Sequence, residues 1–264
     1  MRWLISLAAL VTSTALVVAE DTAPVRLADG FQLPVGNNGD GKGYYKARGM
    51  TPNGHLGEDW DGVKGGDTDL GDPVTVTAHG LVLYARDFHL GWGNVIIVRH
   101  AYLEAGQITY VDSLYGHLNE ILVQEGQQVT RGQKIGTIGN NHGMYAAHLH
   151  FEMRKNLRIG MARSAFARDY TNYWSPSSFV AMHLKLEGGS RLASVPINTF
   201  VKYTGPADLE SAIAQAGGAP PSSSSPLRVS PPLASSPSAS EQTRLKQRGM
   251  FKVDPFEDMR GIRY

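Results

Sequence analysis

Three short stretches carry residue types suited to metal and acid–base chemistry. His55-Leu-Gly-Glu-Asp59 sets an imidazole and a carboxylate four residues apart. Both groups bind zinc at ~2.0–2.2 Å. Gly54 and Gly57 speak against a helix here and for a loop or strand end. His148-Leu-His150-Phe-Glu152 alternates polar and apolar residues. On a strand, residues i and i+2 share a face, so His148, His150 and Glu152 project together while Leu149 and Phe151 face a core. Two adjacent imidazoles repel when both are protonated, and they suit a site where at least one is a neutral metal ligand. Leu114-Tyr-Gly-His117-Leu adds a third histidine, and a regular strand would put Tyr115 and His117 on one face. Each pattern alone is unspecific. His79, His89, His100, His142 and His183 read as loop or packing residues, with His142 placed to rim a groove just ahead of the His148–His150 strand. Glu58 and Asp61 lie on either side of Asp59, from where they could orient the ligands.

The elements that must position these residues read as short strands. Runs at 74–77, 81–84, 94–100, 108–118 and 148–154 are rich in β-branched and aromatic residues, each bounded by Gly, Asn or Asp. Between them, Ile121–Gly139 is punctuated by Glu125-Gly126, Arg131-Gly132 and Ile138-Gly139, which predicts three very short strands. Residues 20–54 are rich in Gly and Asn and read as an extended, loop-bearing segment. Ser175, followed by Pro176, predicts a short helix over 175–183 with Ser175 as N-cap. A second short helix is expected over 207–215. The fold class is therefore mainly β, a compact antiparallel sheet domain with few short helices.

Composition narrows the functional classes. No cysteine occurs in the 264 residues, which excludes a disulfide framework, a Cys-ligated zinc site, a Cys nucleophile and a lipidated cysteine within them. The formal net charge of +1 is too balanced for a chain held on nucleic acid by bulk charge. Residues 1–19 have the outline of a secretory signal: Arg2, an apolar run from Leu4 to Val18, and small residues Val17 and Ala19 before Glu20. That run is shorter than the ~20 residues a spanning helix needs, so export is expected without a lasting membrane span. Residues 217–240 are almost entirely Gly, Ala, Pro and Ser, a composition expected to stay disordered, followed by a tail of unassigned role at 241–264.

Taken together and in order, His55-x-x-x-Asp59, Tyr115-x-His117-Leu118 and His148-x-His150-Phe151-Glu152 resemble the LytM/lysostaphin-type zinc endopeptidases, which cut peptidoglycan cross-bridges or stem peptides. The framing runs Trp92-Gly-Asn94 and Val123-Gln-Glu-Gly126 belong to the same resemblance. It covers residues 55–155 as a peptidase core, followed by an extension over 156–216 expected to pack on it. The resemblance implies the duplicated hybrid motif fold, with a groove across a central sheet. It implies His55, Asp59 and His150 as zinc ligands and His117 and His148 as catalytic histidines. The residues themselves do not decide which of His148 and His150 meets the metal.

The implied chemistry is coherent. Three protein ligands leave one zinc position open to water, as catalytic sites require. Two neutral imidazoles and one carboxylate leave the centre a net positive Lewis acid able to activate that water. No His-Glu-x-x-His occurs, so the proton must be handled elsewhere, and imidazoles have a suitable intrinsic pKa. The expected function is an exported zinc endopeptidase acting on peptidoglycan peptide, in the periplasm or the extracellular cell wall, as a monomer. The competing expectation is a regulator of a cell-wall amidase built on the same fold. Such domains lack the metal ligands, whereas all five residues are present here.

Overall fold

A computed structural model describes residues 21–204. The expected signal segment, the helix over 207–215, the Pro/Ser-rich stretch and the C-terminal tail lie outside the described residues. In chain order the strands are β1 (Thr22–Arg26), β2 (Tyr44–Arg48), β3 (Glu58–Gly62), β4 (Pro73–Thr75), β5 (Gly80–Asp87), β6 (Asn94–Glu104) and β7 (Gln107–Leu118). They continue with β8 (Glu120–Ile121), β9 (Gln128–Val129), β10 (Lys134–Thr137), β11 (Leu149–Arg154) and β12 (Tyr173–Trp174). Helix α1 (Pro176–Met182) and β13 (Leu192–Pro196) complete the order. The fold is mainly β and its strand pairs are antiparallel.

The main sheet runs β2-β3-β11-β7-β6-β5-β9, with β12 also pairing with β11. Its centre is the long β6–β7 hairpin. Glu104 pairs with Gln107, and the two residues between them, Ala105 (φ 48°) and Gly106 (φ 80°), are both left-handed. That is the turn whose twist matches the strands it joins. A second sheet, β4-β10-β8, is built from the Gly-punctuated region, and β1 pairs with β13.

Alternation along the central strands explains the layering. Tyr115, Leu149, Phe151 and Met153 share one buried cluster with Val98, Ile96 and Phe179. On the other face Leu114, Val95 and Ile97 gather under Trp92 and Met161. Helix α1 begins at Pro176 with Ser175 at the N-cap position, as the sequence predicts, although the Ser175 hydroxyl makes no capping bond, and it buries Phe179 and Val180. The carboxylate of Glu58 receives hydrogen bonds from the Ser177 N–H (3.1 Å) and the Ser177 hydroxyl (2.7 Å), fastening the helix start to β3. Glu58 thus serves the helix and Lys46 rather than the His55–Asp59 pair, and Asp61 bonds the Tyr45 hydroxyl. Among the described residues, no helix is long and apolar enough to cross a membrane.

Candidate metal centre and flanking histidines

Strand β3 pairs with β11 so that Asp59 lies opposite His150. His55 comes from the turn just before β3. The three donor atoms, His55 Nε2, Asp59 Oδ1 and His150 Nδ1, form a triangle with edges of 3.0, 3.0 and 2.9 Å. Donors around a tetrahedral zinc with bonds near 2.0–2.1 Å stand roughly 3.3 Å apart, so a slight opening of this triangle would seat the ion.

The surroundings of the two rings say what the triangle is for. His55 Nδ1 donates to the Gly49 carbonyl at 3.1 Å, and a carbonyl can only accept. His150 Nε2 faces Glu152 Oε1 at 2.9 Å, and that carboxylate is itself held by Arg154 at 2.6 Å. Burial works against a charged Glu152, but Arg154 and His150 outweigh it and push its pKa well down. Glu152 therefore accepts, His150 Nε2 carries the proton, and the lone pairs left on His55 Nε2 and His150 Nδ1 converge with an Asp59 oxygen. Three electron-rich atoms 3 Å apart repel unless a positive charge sits among them. With no metal bound, a proton on His150 Nδ1 supplies that charge: burial alone would lower the His150 pKa, yet its hydrogen bonds to Asp59 and Glu152 raise it to about 9, and a metal ion would displace this proton. The Asp59 carboxyl, despite its burial, is held well below the usual range by His150 and His55. The donor set fits a divalent cation in both chemistry and charge.

His148 and His117 stand beside this centre. His148 precedes β11, and its Nε2 is 4.0 Å from Asp59 Oδ1. Its Nδ1 donates to the Ala146 carbonyl at 2.7 Å, which leaves the free lone pair on Nε2. The side chain is partly open to solvent, whereas His150 is sealed. The His117 ring lies 4.9 Å from that of His148 and 5.6 Å from that of His150. Its Nδ1 donates to the Trp92 carbonyl at 3.2 Å, again leaving the free lone pair on Nε2. Burial, followed by the neighbouring His148 and His150, holds the His117 pKa well below the usual imidazole value. All four rings thus have one nitrogen fixed by an acceptor, which sets the tautomer of each.

One expectation is corrected. Tyr115 and His117 do not share a face. Tyr115 faces the core, where its hydroxyl accepts from the Thr77 N–H at 2.9 Å. His117 adopts φ 61°, and this break in the strand turns its ring to the opposite face, towards His148 and His150. Two aromatic neighbours had no assigned role in the sequence. Trp92 stacks beside His117 at 6.3 Å and meets His150 edge-on at 5.3 Å. Tyr145 packs 5.0 Å from His117. Both lie in loops whose paths alternation does not encode, and their only sequence signal is position just before β6 and β11.

Comparison with known proteins identifies the family. Residues 55–160 match the model of peptidase family M23. The lipoprotein NlpD of Yersinia enterocolitica is 41% identical over 86 residues, 32% of this chain and 78% of that protein. The chain belongs to peptidase family M23. Two further M23-like relatives carry different descriptions. The murein hydrolase activator NlpD of Escherichia coli is 38% identical over 108 residues, 40% of this chain and 24% of that protein. The peptidoglycan DD-endopeptidase ShyA of Vibrio cholerae is 38% identical over 84 residues, 32% of this chain and 18% of that protein. The chain spans about a quarter of the length of several curated relatives it matches.

Proposed function

We propose that this M23 chain is an exported zinc-dependent endopeptidase that hydrolyses peptide bonds in peptidoglycan cross-bridges or stem peptides. The observation that carries this reading is the convergence of the His55, Asp59 and His150 donor atoms beside two further histidines whose Nε2 atoms carry free lone pairs. His55, Asp59 and His150 would hold a zinc ion, which when bound would supply Lewis acidity for activating water and polarising an amide carbonyl.

The remaining work falls to the chain's own residues. His148 Nε2, partly solvent-exposed and 4.0 Å from the Asp59 donor oxygen, takes the proton from the attacking water. His117 lies across the same space. Its surroundings disfavour the cation, so neutral His117 steadies the reacting groups through the free lone pair of Nε2, and the proton His148 takes from the water is the one it delivers to the leaving amine. Anchoring of each Nδ1 on a backbone carbonyl keeps both rings aimed without reorganisation at the moment of reaction. No nucleic-acid or membrane partner is invoked, and the protein acts as a monomer on cell-wall peptide.

A second reading has a specific observation behind it: NlpD relatives are described as murein hydrolase activators. In that role the domain would stimulate a cell-wall amidase without cutting. The complete donor set favours the enzyme. Mass spectrometry of purified peptidoglycan digested with the mature protein separates the two. The enzyme releases fragments with new peptide termini, and D59A does not. Unchanged peptides, together with stimulation of an added amidase by both wild type and D59A, would establish the regulator instead.

A further inference from the structure

We propose that Asp87, His89 and His142 form a second, solvent-facing site for a divalent transition-metal cation, separate from the inner centre, which ties together the two loops flanking His117. Asp87 Oδ2 is 2.9 Å from His142 Nε2 and 3.1 Å from His89 Nδ1. The three donor atoms lie within 4.8 Å of one another. Two imidazoles around one carboxylate oxygen repeat the donor set of the inner centre, where His55 and His150 approach Asp59 Oδ1 at 3.0 and 2.9 Å. Imidazole with carboxylate is a donor set suited to zinc, copper or nickel rather than magnesium or calcium.

The carboxylate is prepared for this role. Its second oxygen, Oδ1, accepts the His89 backbone N–H at 2.7 Å. That bond orients Asp87 and leaves Oδ2 to the two rings. Both histidines sit on backbone in the left-handed region that side chains seldom adopt, His89 at φ 59° and His142 at φ 55°. The rings are about half exposed, whereas the inner ligands are buried. An exposed three-donor set holds its ion more weakly and exchanges it more readily, so this site fills second.

The position gives the site a consequence. Asp87 ends β5 and His142 lies in the loop ahead of β11, 55 positions on in sequence. On one side the His89 carbonyl accepts the Trp92 N–H at 2.8 Å, and the Trp92 carbonyl holds His117 Nδ1. On the other, Tyr145 N–H bonds the Asn140 carbonyl and its ring packs on His117. A cation joining Asp87, His89 and His142 would therefore fix both walls around His117.

Zinc itself is the probe. The full chain is stripped with chelator, dialysed against rising zinc, and its bound metal is measured by atomic emission. Amide hydrogen exchange is followed over 88–93 and 140–145. Wild type is expected to bind two equivalents, the second lost first on dilution and accompanied by slower exchange in both loops. H142Q and D87N, altered at the surface, should each keep the tight equivalent and lose the second together with the added protection. D59A should lose the tight equivalent and keep the weak one. One equivalent in wild type throughout, or a second equivalent that survives in H142Q and D87N, overturns the site. A second equivalent with no slowing of exchange overturns the tie between the loops. Retention of both equivalents by D59A would instead count against the inner ligand set and leave this site standing.

Discussion

At the scale of single residues, the histidines divide by what their second nitrogen touches. His55 and His150 turn their free lone pairs onto an Asp59 oxygen, while His117 and His148 keep theirs beside it. Removing a ligand should therefore remove zinc, and removing a flanking histidine should remove rate. Asp59→Ala is expected to bind little zinc at the inner centre. His117→Ala and His148→Ala should each retain one tightly held zinc while losing ~10²–10⁴ in turnover, the usual contribution of a general acid or base. Metal analysis and kcat on the same preparations check this. Equal zinc loss in the His148 and His150 variants would reverse the division within His148-Leu-His150, and near-normal turnover in His117→Ala would return that residue to a packing role.

At the scale of elements, β11 shows what was legible in the sequence and what was not. Alternation along His148-Leu-His150-Phe-Glu152 correctly separates core from site, because a strand paired on both sides keeps its period. It does not say that the polar face is itself covered, with His150, Glu152 and Arg154 all buried. The same rule fails at His117 because one left-handed residue inverts everything after it. Strands β1 and β13 escape detection for another reason. Their partners are some 170 residues apart, Thr22 against Pro196, and nothing local encodes that register. The covered face of β11 makes a prediction of its own. Glu152 touches no donor atom of the centre except through the His150 ring, which it orients and whose basicity it supports. Such partners typically contribute 10–100-fold to metal affinity. Glu152→Gln should weaken inner zinc binding by roughly that factor without abolishing it, as competition with a chelator would show. Unchanged affinity would mean that packing alone fixes His150. Arg154 is the less informative target, since its loss leaves the buried Glu152 with His150 as its remaining partner, at a cost of about 3–5 kcal/mol in folding.

At the scale of the whole molecule, a polar chain runs through the core and makes the fold acid-sensitive. The Thr77 N–H bonds the Tyr115 hydroxyl, which is 3.0 Å from the Ser113 hydroxyl, which is 2.7 Å from His100 Nε2. His100 Nδ1 donates to the His79 carbonyl at 2.9 Å. His100 reads in the sequence as a packing residue, and the packing is specific: the chain links β7 and β6 to the residues just before β5, and it requires a neutral ring accepting at Nε2. Burial lowers the His100 pKa to about 4. The unfolded chain, with an ordinary histidine near 6.5, therefore binds the proton first as pH falls. The stability of the neutral buried ring is fully present above pH ~6.5 and is progressively lost towards pH ~4. From pH 7.5 to 5 this single group should cost the fold about 2 kcal/mol. His79 and His117 are lowered and act in the same sense, whereas His150 is raised and acts in the opposite one. Comparison of wild type with His100→Asn isolates the group. The asparagine variant should be less stable at pH 7.5, having lost buried ring contacts, yet lose less stability on acidification. Urea unfolding midpoints at pH 7.5, 6 and 5 measure both slopes. Parallel lines for the two proteins would show that His100 is protonated without penalty and that the polar chain tolerates the cation.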